Sequence, residues 1–223
     1  MNNGFYGLNP QQAIRDIEVF AQAMQSIANT MRKAGTLLFE NLSNNWYSPA
    51  AVEFSNKYST VLYDNTVTVI ERNTDAIIGA AVDSFNAISL ANGGGSIPAY
   101  NRNSPSGENN FGFLKESGLN GVGMDVYGVR QAVSEYFQYI NTGLSALDSV
   151  PNNLAIYDKS GSIQVTFQNC ITKIKQVVHS AYLDMYTNLS RIIENETNKL
   201  ESATQKSSEA ISNAANAPIQ HLL

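Results

Sequence analysis

The 223-residue sequence is poor in the residues that build metal centres and disulfide frameworks. Its one cysteine, Cys170, permits no internal disulfide. Its two histidines, His179 and His221, have neither a second histidine four residues away nor a cysteine cluster beside them. We therefore expect no metal, no cofactor and no catalytic residue, and we predict that the protein is not an enzyme. His179 is expected on the surface, and Cys170 as a small apolar side chain beside a buried stripe.

Charge is also scarce, because only 15% of the residues are charged and the formal net charge is −5. The chain contains no run of lysine and arginine, so it lacks the basic surface that binding to a phosphate backbone requires. We therefore expect no nucleic acid among its partners.

Long apolar runs are missing as well. The most apolar stretch, at residues 76–91, is shorter than the roughly 20 residues that span a bilayer, and it contains Asp83. The N-terminal residues lack the basic region and apolar core that mark a signal peptide. We expect neither stable membrane insertion nor export by the Sec route.

Helical periodicity, in contrast, is present over most of the chain. Apolar residues recur at three- and four-residue spacing in four segments, the pattern of amphipathic helices. Pro10 fits the start of the first helix, and Ser48 followed by Pro49 fits the capped start of the second. Residues 161–167 include several β-branched residues, which favour a strand as the alternative to a helix at this point. The helices are predicted near residues 10–41, 49–91, 125–148 and 162–210.

Residues 92–124 contain eight glycines and two prolines, which is typical of a linker. The sequence thus predicts an all-α fold in which two long helical hairpins form an antiparallel four-helix bundle, joined by this Gly-rich linker. Antiparallel hairpins place their turns at opposite ends, so the linker must travel the length of the bundle. Its 33 residues can reach about 100 Å. The predicted divisions are a first hairpin at 1–91, the linker at 92–124, a second hairpin at 125–213 and a polar tail at 214–223.

The turn between the first two helices carries the only tryptophan of the chain, in the sequence NNWYSP at 44–49. Leu42, Trp46, Ser48, Phe54 and Tyr58 resemble the W-x-G turn and following helix of the WxG-type small secreted proteins of bacterial type VII secretion. The resemblance covers about residues 9–91, and Ser48 stands where that family has glycine.

The second hairpin resembles the same unit more loosely, through Tyr157, Gly161 and Phe167, and it has no tryptophan. The resemblance implies two WxG-like units fused in tandem, acting as a non-catalytic substrate, carrier or partner in type VII secretion. It implies a secretion-machinery or co-exported protein partner and leaves self-association as a homo-oligomer open. Such a protein is cytoplasmic before export, then secreted or held at the cell surface. The family's export tail, a tyrosine followed four residues later by aspartate or glutamate, has no match here.

Two other functions are compatible with the same helical pattern. A membrane-active, pore-forming protein would insert residues 76–91, although Asp83 opposes insertion. An intracellular helical scaffold would have the same architecture without export. Leakage of liposomes separates the first alternative from the secretion hypothesis, and a secretome measurement separates the second.

Trp46 itself admits two interpretations. A large ring at a hairpin turn can cap the apolar seam between both helices and bury about 150–250 Å². It can also form a recognition surface with its neighbour Tyr47. The predicted recognition motif therefore consists of Trp46, Tyr47, Ser48, Phe54 and Tyr58.

Overall fold

The computed structural model describes residues 10–101, 109–116, 123–150 and 162–215, and within these ranges the fold is all-α. The helices lie close to their predicted positions, and the β-branched stretch continues as helix from Ser162. The elements are α1 (Pro10–Asn45), β1 (Trp46–Tyr47), α2 (Pro49–Tyr63), a π-helical turn (Asp64–Thr68), α3 (Val69–Ala91), β2 (Gly123–Met124), α4 (Val126–Ala146) and α5 (Ser162–Ala215).

Helix α1 supplies the largest share of the core. Its apolar residues, such as Phe20, Met24, Met31 and Leu38, follow the three- and four-residue spacing and are all buried. The helix packs against both α3 and α4, which belong to the two different predicted hairpins. A single amphipathic helix thus joins the two halves of the sequence.

The second predicted helix, 49–91, is present, and it contains a π-helical turn that the prediction did not include. The π-helical turn at Asp64–Thr68 separates α2 from α3. From Ala51 to Ser89, the average spacing between buried positions on successive turns is slightly longer than the roughly 3.6 residues of an α-helical turn. A π-helical turn contains one more residue than an α-helical turn, so it keeps these positions on one face of the helix. Inside the turn, the Thr66 hydroxyl is buried and donates to the Leu62 carbonyl at 2.6 Å.

An ion pair between α1 and α3 lies near this turn. The Arg32 guanidinium donates to the Glu71 carboxylate at 2.9 Å and to the Tyr63 hydroxyl oxygen at 3.3 Å. Both charged side chains are partly buried, so the pair also constrains how α3 lies on α1.

The predicted linker ends in a strand that the sequence pattern did not indicate. β1 and β2 pair antiparallel, with Trp46 opposite Met124 and Tyr47 opposite Gly123. The backbone N–H of Asp125 then donates to the Asn45 carbonyl at 2.7 Å. The start of α4 is therefore fixed to the end of α1.

From this point α4 runs back along α1. The Asn41 amide donates to Glu135 at 3.4 Å, and a Cβ atom added at Gly143 would overlap the side chain of Met31. Gly143 thus permits a close approach of the two helices, and α4 is antiparallel to α1.

Helix α5, over residues 162–183, contacts both of these helices. The rings of Phe167 and Phe20 meet edge to face with centroids 5.0 Å apart. The Tyr182 ring stacks on Phe137 at 4.8 Å. Contacts divide the chain into two compact units, Met1–Leu183 and Asp184–Leu223. In the second unit, residues 198–213 are exposed helix. The predicted division at 91, 124 and 213 stays a prediction.

Candidate recognition site at the tryptophan turn

Trp46 lies in the core at the junction of α1 and α2. Its side chain is 0% exposed, and its ring meets that of Phe54 at 5.5 Å between centroids. The indole N–H donates to the Ser48 hydroxyl oxygen at 2.8 Å, so this polar group is satisfied although it is buried. The geometry favours the capping interpretation, because a ring without solvent exposure presents no surface to a partner.

Ser48 joins the tryptophan to the start of α2. It is the N-cap residue, with extended backbone (φ −167°, ψ 163°), and its hydroxyl oxygen accepts from the Ala51 backbone N–H at 3.2 Å. The same oxygen accepts from the indole of Trp46, which is possible because a hydroxyl has two lone pairs. Extended backbone is open to any residue, so glycine is not needed here. The serine in place of the family's glycine therefore contributes two hydrogen bonds.

The other predicted aromatic residues continue the buried cluster. Phe54 meets Tyr58 at 4.9 Å on one side and Phe39 at 6.2 Å on the other. The Lys57 ammonium lies 4.8 Å from the Tyr58 ring centroid, a cation–π contact at the edge of the cluster. Phe54 and Tyr58 thus stabilise the hairpin from inside, as Trp46 does.

Two tyrosines remain accessible beside the turn. Tyr47 is half-buried in β1, and Tyr127 on α4 is 78% exposed. Asp125 fixes the position of Tyr127, because its carboxylate caps α4 and accepts from the Tyr127 backbone N–H at 3.0 Å. Sequence reasoning missed Tyr127. The signal was Asp125, a cap residue directly before the third apolar-periodic run.

The residues predicted for the turn of the second hairpin add nothing to the candidate recognition site. Tyr157 and Gly161 lie outside the described residues. Phe167 is buried against Phe20, so it belongs to the core of the helices and not to an exposed motif.

Groups for acid–base or metal chemistry do not converge in the part of the chain that the structure describes. Within those residues, no three or more histidine, cysteine, aspartate or glutamate side chains are grouped so that they could hold a metal ion. His179 is exposed, and Cys170 is half-buried beside Ile171. Burial, together with the nearby Tyr182, raises the pKa of the Tyr136 hydroxyl above its ordinary value.

Among residues 10–101, 109–116, 123–150 and 162–215, no helix combines the length and the apolarity that crossing a membrane requires.

Similarity to known proteins adds no further assignment. Protein-family models, curated proteins and solved structures were each compared with the chain, and none of them matches. The resemblance to the WxG-type proteins therefore rests on the residues of the Trp46 turn and on the helices that flank it.

Proposed function

We propose that this protein is a non-catalytic interaction protein of bacterial type VII secretion, composed of two WxG-like helical units in tandem. It is exported by a non-Sec route as a substrate, carrier or partner, and it acts through protein–protein contacts. The observation that carries the proposal is the turn between α1 and α2. There Trp46 closes a long helical hairpin, packs on Phe54 of the next helix and bonds to the cap residue Ser48.

The proposal includes an antiparallel four-helix bundle formed by α1, α2 with α3, α4, and the first part of α5. The contacts of α4 with the end of α1 and of α5 with both helices support this arrangement. The position of the linker supports it too, because Ile97 lies beside Asn86 of α3 whereas Gly123 pairs with Tyr47.

Paired cysteines test the sense of α4 in the bundle. In a Cys170→Ser background, Asn45→Cys with Gly128→Cys should form an intrachain disulfide on oxidation, because the Asn45 side chain fills the space beside Gly128. The control pair, Asn45→Cys with Gly143→Cys, should stay reduced, since Gly143 lies at Met31. Oxidation of the control pair alone would contradict the antiparallel arrangement.

Export is tested in the bacterium that encodes the chain. Deleting the membrane-bound ATPase of its type VII system should abolish appearance of the protein in the culture medium and leave its cytoplasmic level intact. A Sec-exported protein of the same cell is the control and should be unaffected. Continued export without the ATPase would overturn the proposal.

The accessible tyrosines at the turn are the residues through which we expect recognition. Tyr47→Ala and Tyr127→Ala should reduce export while melting temperature changes little, since both side chains contact solvent. Tyr139→Ala, a partly exposed tyrosine farther along α4, is the matched control and should export normally. Equal export of all three variants would argue against a recognition surface at this end.

A further inference from the structure

One residue of the predicted linker occupies a notch in the first hairpin. The Phe111 ring lies over Gly35 of α1, where an added Cβ atom would overlap the ring. It also meets the rings of Phe39 at 6.1 Å and Tyr63 at 5.2 Å. The backbone N–H of Phe111 donates to the buried Ser59 hydroxyl of α2 at 2.9 Å. The notch thus has a glycine floor, aromatic walls and a fixed acceptor for the backbone.

The residues around Phe111 define a short pattern. The Asn110 side chain accepts from the Gly112 N–H at 2.9 Å, which forms a local turn. Gly112 has φ +100°, a conformation that side-chain-bearing residues rarely adopt. Phe111 and Leu114 are buried whereas Phe113 is 55% exposed, so Phe111 and Leu114 are the two anchors. The bound pattern is Asn-Phe-Gly-x-Leu.

Side chains of α3 hold a second stretch of the same segment in a similar way. The Asn86 amide accepts from the Ile97 N–H at 2.7 Å and donates to the Ile97 carbonyl at 3.1 Å. The Ser89 hydroxyl donates to the Gly95 carbonyl at 2.7 Å. Since residues 94–101 and 111–115 form neither helix nor strand, the helices bind this chain as they would bind an extended peptide.

We propose that the Gly35 notch is a binding site for an extended peptide of the pattern Asn-Phe-Gly-x-Leu, which residues 110–114 of the same chain occupy in the absence of a partner. A protein that presents this pattern displaces residues 110–114 and binds at the first hairpin. The phenylalanine ring fills the notch, its backbone N–H donates to Ser59, and the glycine permits the turn that brings the leucine inward. The inference does not depend on the export proposal.

Because residues 110–114 of the same chain occupy the Gly35 notch, a partner must compete with them to bind there. A tethered segment acts at an effective concentration on the order of millimolar, so a free peptide competes poorly with it. Removing the Phe111 ring should therefore leave the notch free in a larger fraction of the chains, and the apparent affinity for an added peptide should rise.

The test uses the full chain with Phe111→Ala and a synthetic peptide of residues 109–116, NNFGFLKE. Calorimetry should show 1:1 binding to the variant at least tenfold tighter than to the wild-type chain. The same peptide with alanine at its first phenylalanine should bind the variant at least tenfold more weakly. Phe113→Ala is the matched protein control, and it should behave like the wild type because that ring is exposed.

Two results would overturn the inference. One is a folded Phe111→Ala chain that does not bind the peptide, and the other is equal binding of the two peptides. Should Phe111→Ala fail to fold, recovery of helical circular dichroism on adding NNFGFLKE, and not on adding its alanine form, supports the site. Failure of both peptides to restore that signal counts against the site.

Discussion

At the scale of single residues, the turn depends on one hydroxyl. Ser48 accepts from both the Trp46 indole and the Ala51 backbone N–H. The sequence predicted Ser48 as a helix cap and Trp46 as a ring covering the apolar seam. It could not predict the bond between them, because that bond depends on where the chain directs the ring after β1 has paired with β2.

Trp46→Ala should lower the free energy of unfolding by about 3–5 kcal/mol, because a fully buried aromatic side chain is removed. Urea unfolding monitored by circular dichroism measures the change. Tyr127→Ala, an exposed aromatic residue beside the same turn, should change it by less than about 0.5 kcal/mol. A loss below 1 kcal/mol for Trp46→Ala would contradict the capping interpretation.

Ser48→Ala should cost about 2–3 kcal/mol, since it removes the cap of α2 and leaves the indole N–H buried without an acceptor. In a Trp46→Phe background the same change should cost only about 1 kcal/mol, because only the cap remains to be lost. A double-mutant cycle from urea unfolding isolates this coupling. Ser43→Ala on the surface of α1 is the control, and additive costs would show that the bond contributes nothing.

Tyr136 is the one described residue whose buried side-chain polar atom has no hydrogen-bond partner. Tyr136→Phe should therefore raise the free energy of unfolding by about 1–3 kcal/mol. The pKa of this phenol is raised in the folded chain, so the unfolded chain loses its proton first, above about pH 10. Wild-type stability should then fall with pH above 10, by at most about 1.4 kcal/mol per pH unit from this group, and the variant should lack that contribution. Tyr139→Phe, partly exposed on the same helix, should leave both quantities unchanged.

At the scale of elements, the apolar period predicted where the helices lie but not that the second one contains a π-helical turn. When the spacing of apolar residues is only slightly longer than the helical repeat, any short stretch of the sequence still looks like regular α-helix. Only over the whole of α2 and α3, packed on α1, does the phase difference require the π-helical turn at Asp64–Thr68. The pairing of β1 with β2 was also missed, because two residues carry no periodicity.

Inserting one alanine after Asn65 in the π-helical turn should destabilise the chain by several kcal/mol. The turn already holds one extra residue, so a further one rotates α3 by about 100° relative to α2 and turns Ile70 and Ile77 away from the core. The melting temperature and the hydrogen bond between Arg32 and Glu71, followed by NMR, report the loss. Deleting Asn65 should be tolerated better, because regular α-helix then keeps both isoleucines on the core face. Asn65→Ala keeps the number of residues and is the control, and an insertion variant as stable as this control would show that the turn has no role in register.

At the scale of the whole molecule, the linker is more than a connection. Its glycine content predicted a segment outside the helices, and among the described residues, 94–101 and 111–115 form neither helix nor strand. The apolar group Phe111, Phe113 and Leu114 was the signal that parts of this segment are buried. A search for apolar periodicity detects repeated spacings, so it does not detect a few apolar residues that lie among polar neighbours. The notch at Gly35 could not be foreseen, since its walls come from α1 and α2 together.

Shortening residues 92–124 to eight residues should prevent α4 from reaching the end of α1 within one chain. We expect a swapped dimer or aggregate, measured by light scattering after size-exclusion chromatography. Replacing only residues 102–108 by a Gly/Ser segment of equal length keeps Ile97, Phe111 and Leu114 and should leave a monomer. A stable monomer from the shortened chain would contradict the proposed antiparallel hairpins.

The close association of α1 with α4 also has a consequence during synthesis. Asn45 ends α1, yet its partner Asp125 is 80 residues later in the chain. At about 5–20 residues per second, the face of α1 that α4 will cover is exposed for at least about 4–16 s, because α4 follows Asp125 in the chain. A nascent chain stalled between these points presents an uncovered apolar helix, so this interval is when chaperones or a co-translated partner can bind it.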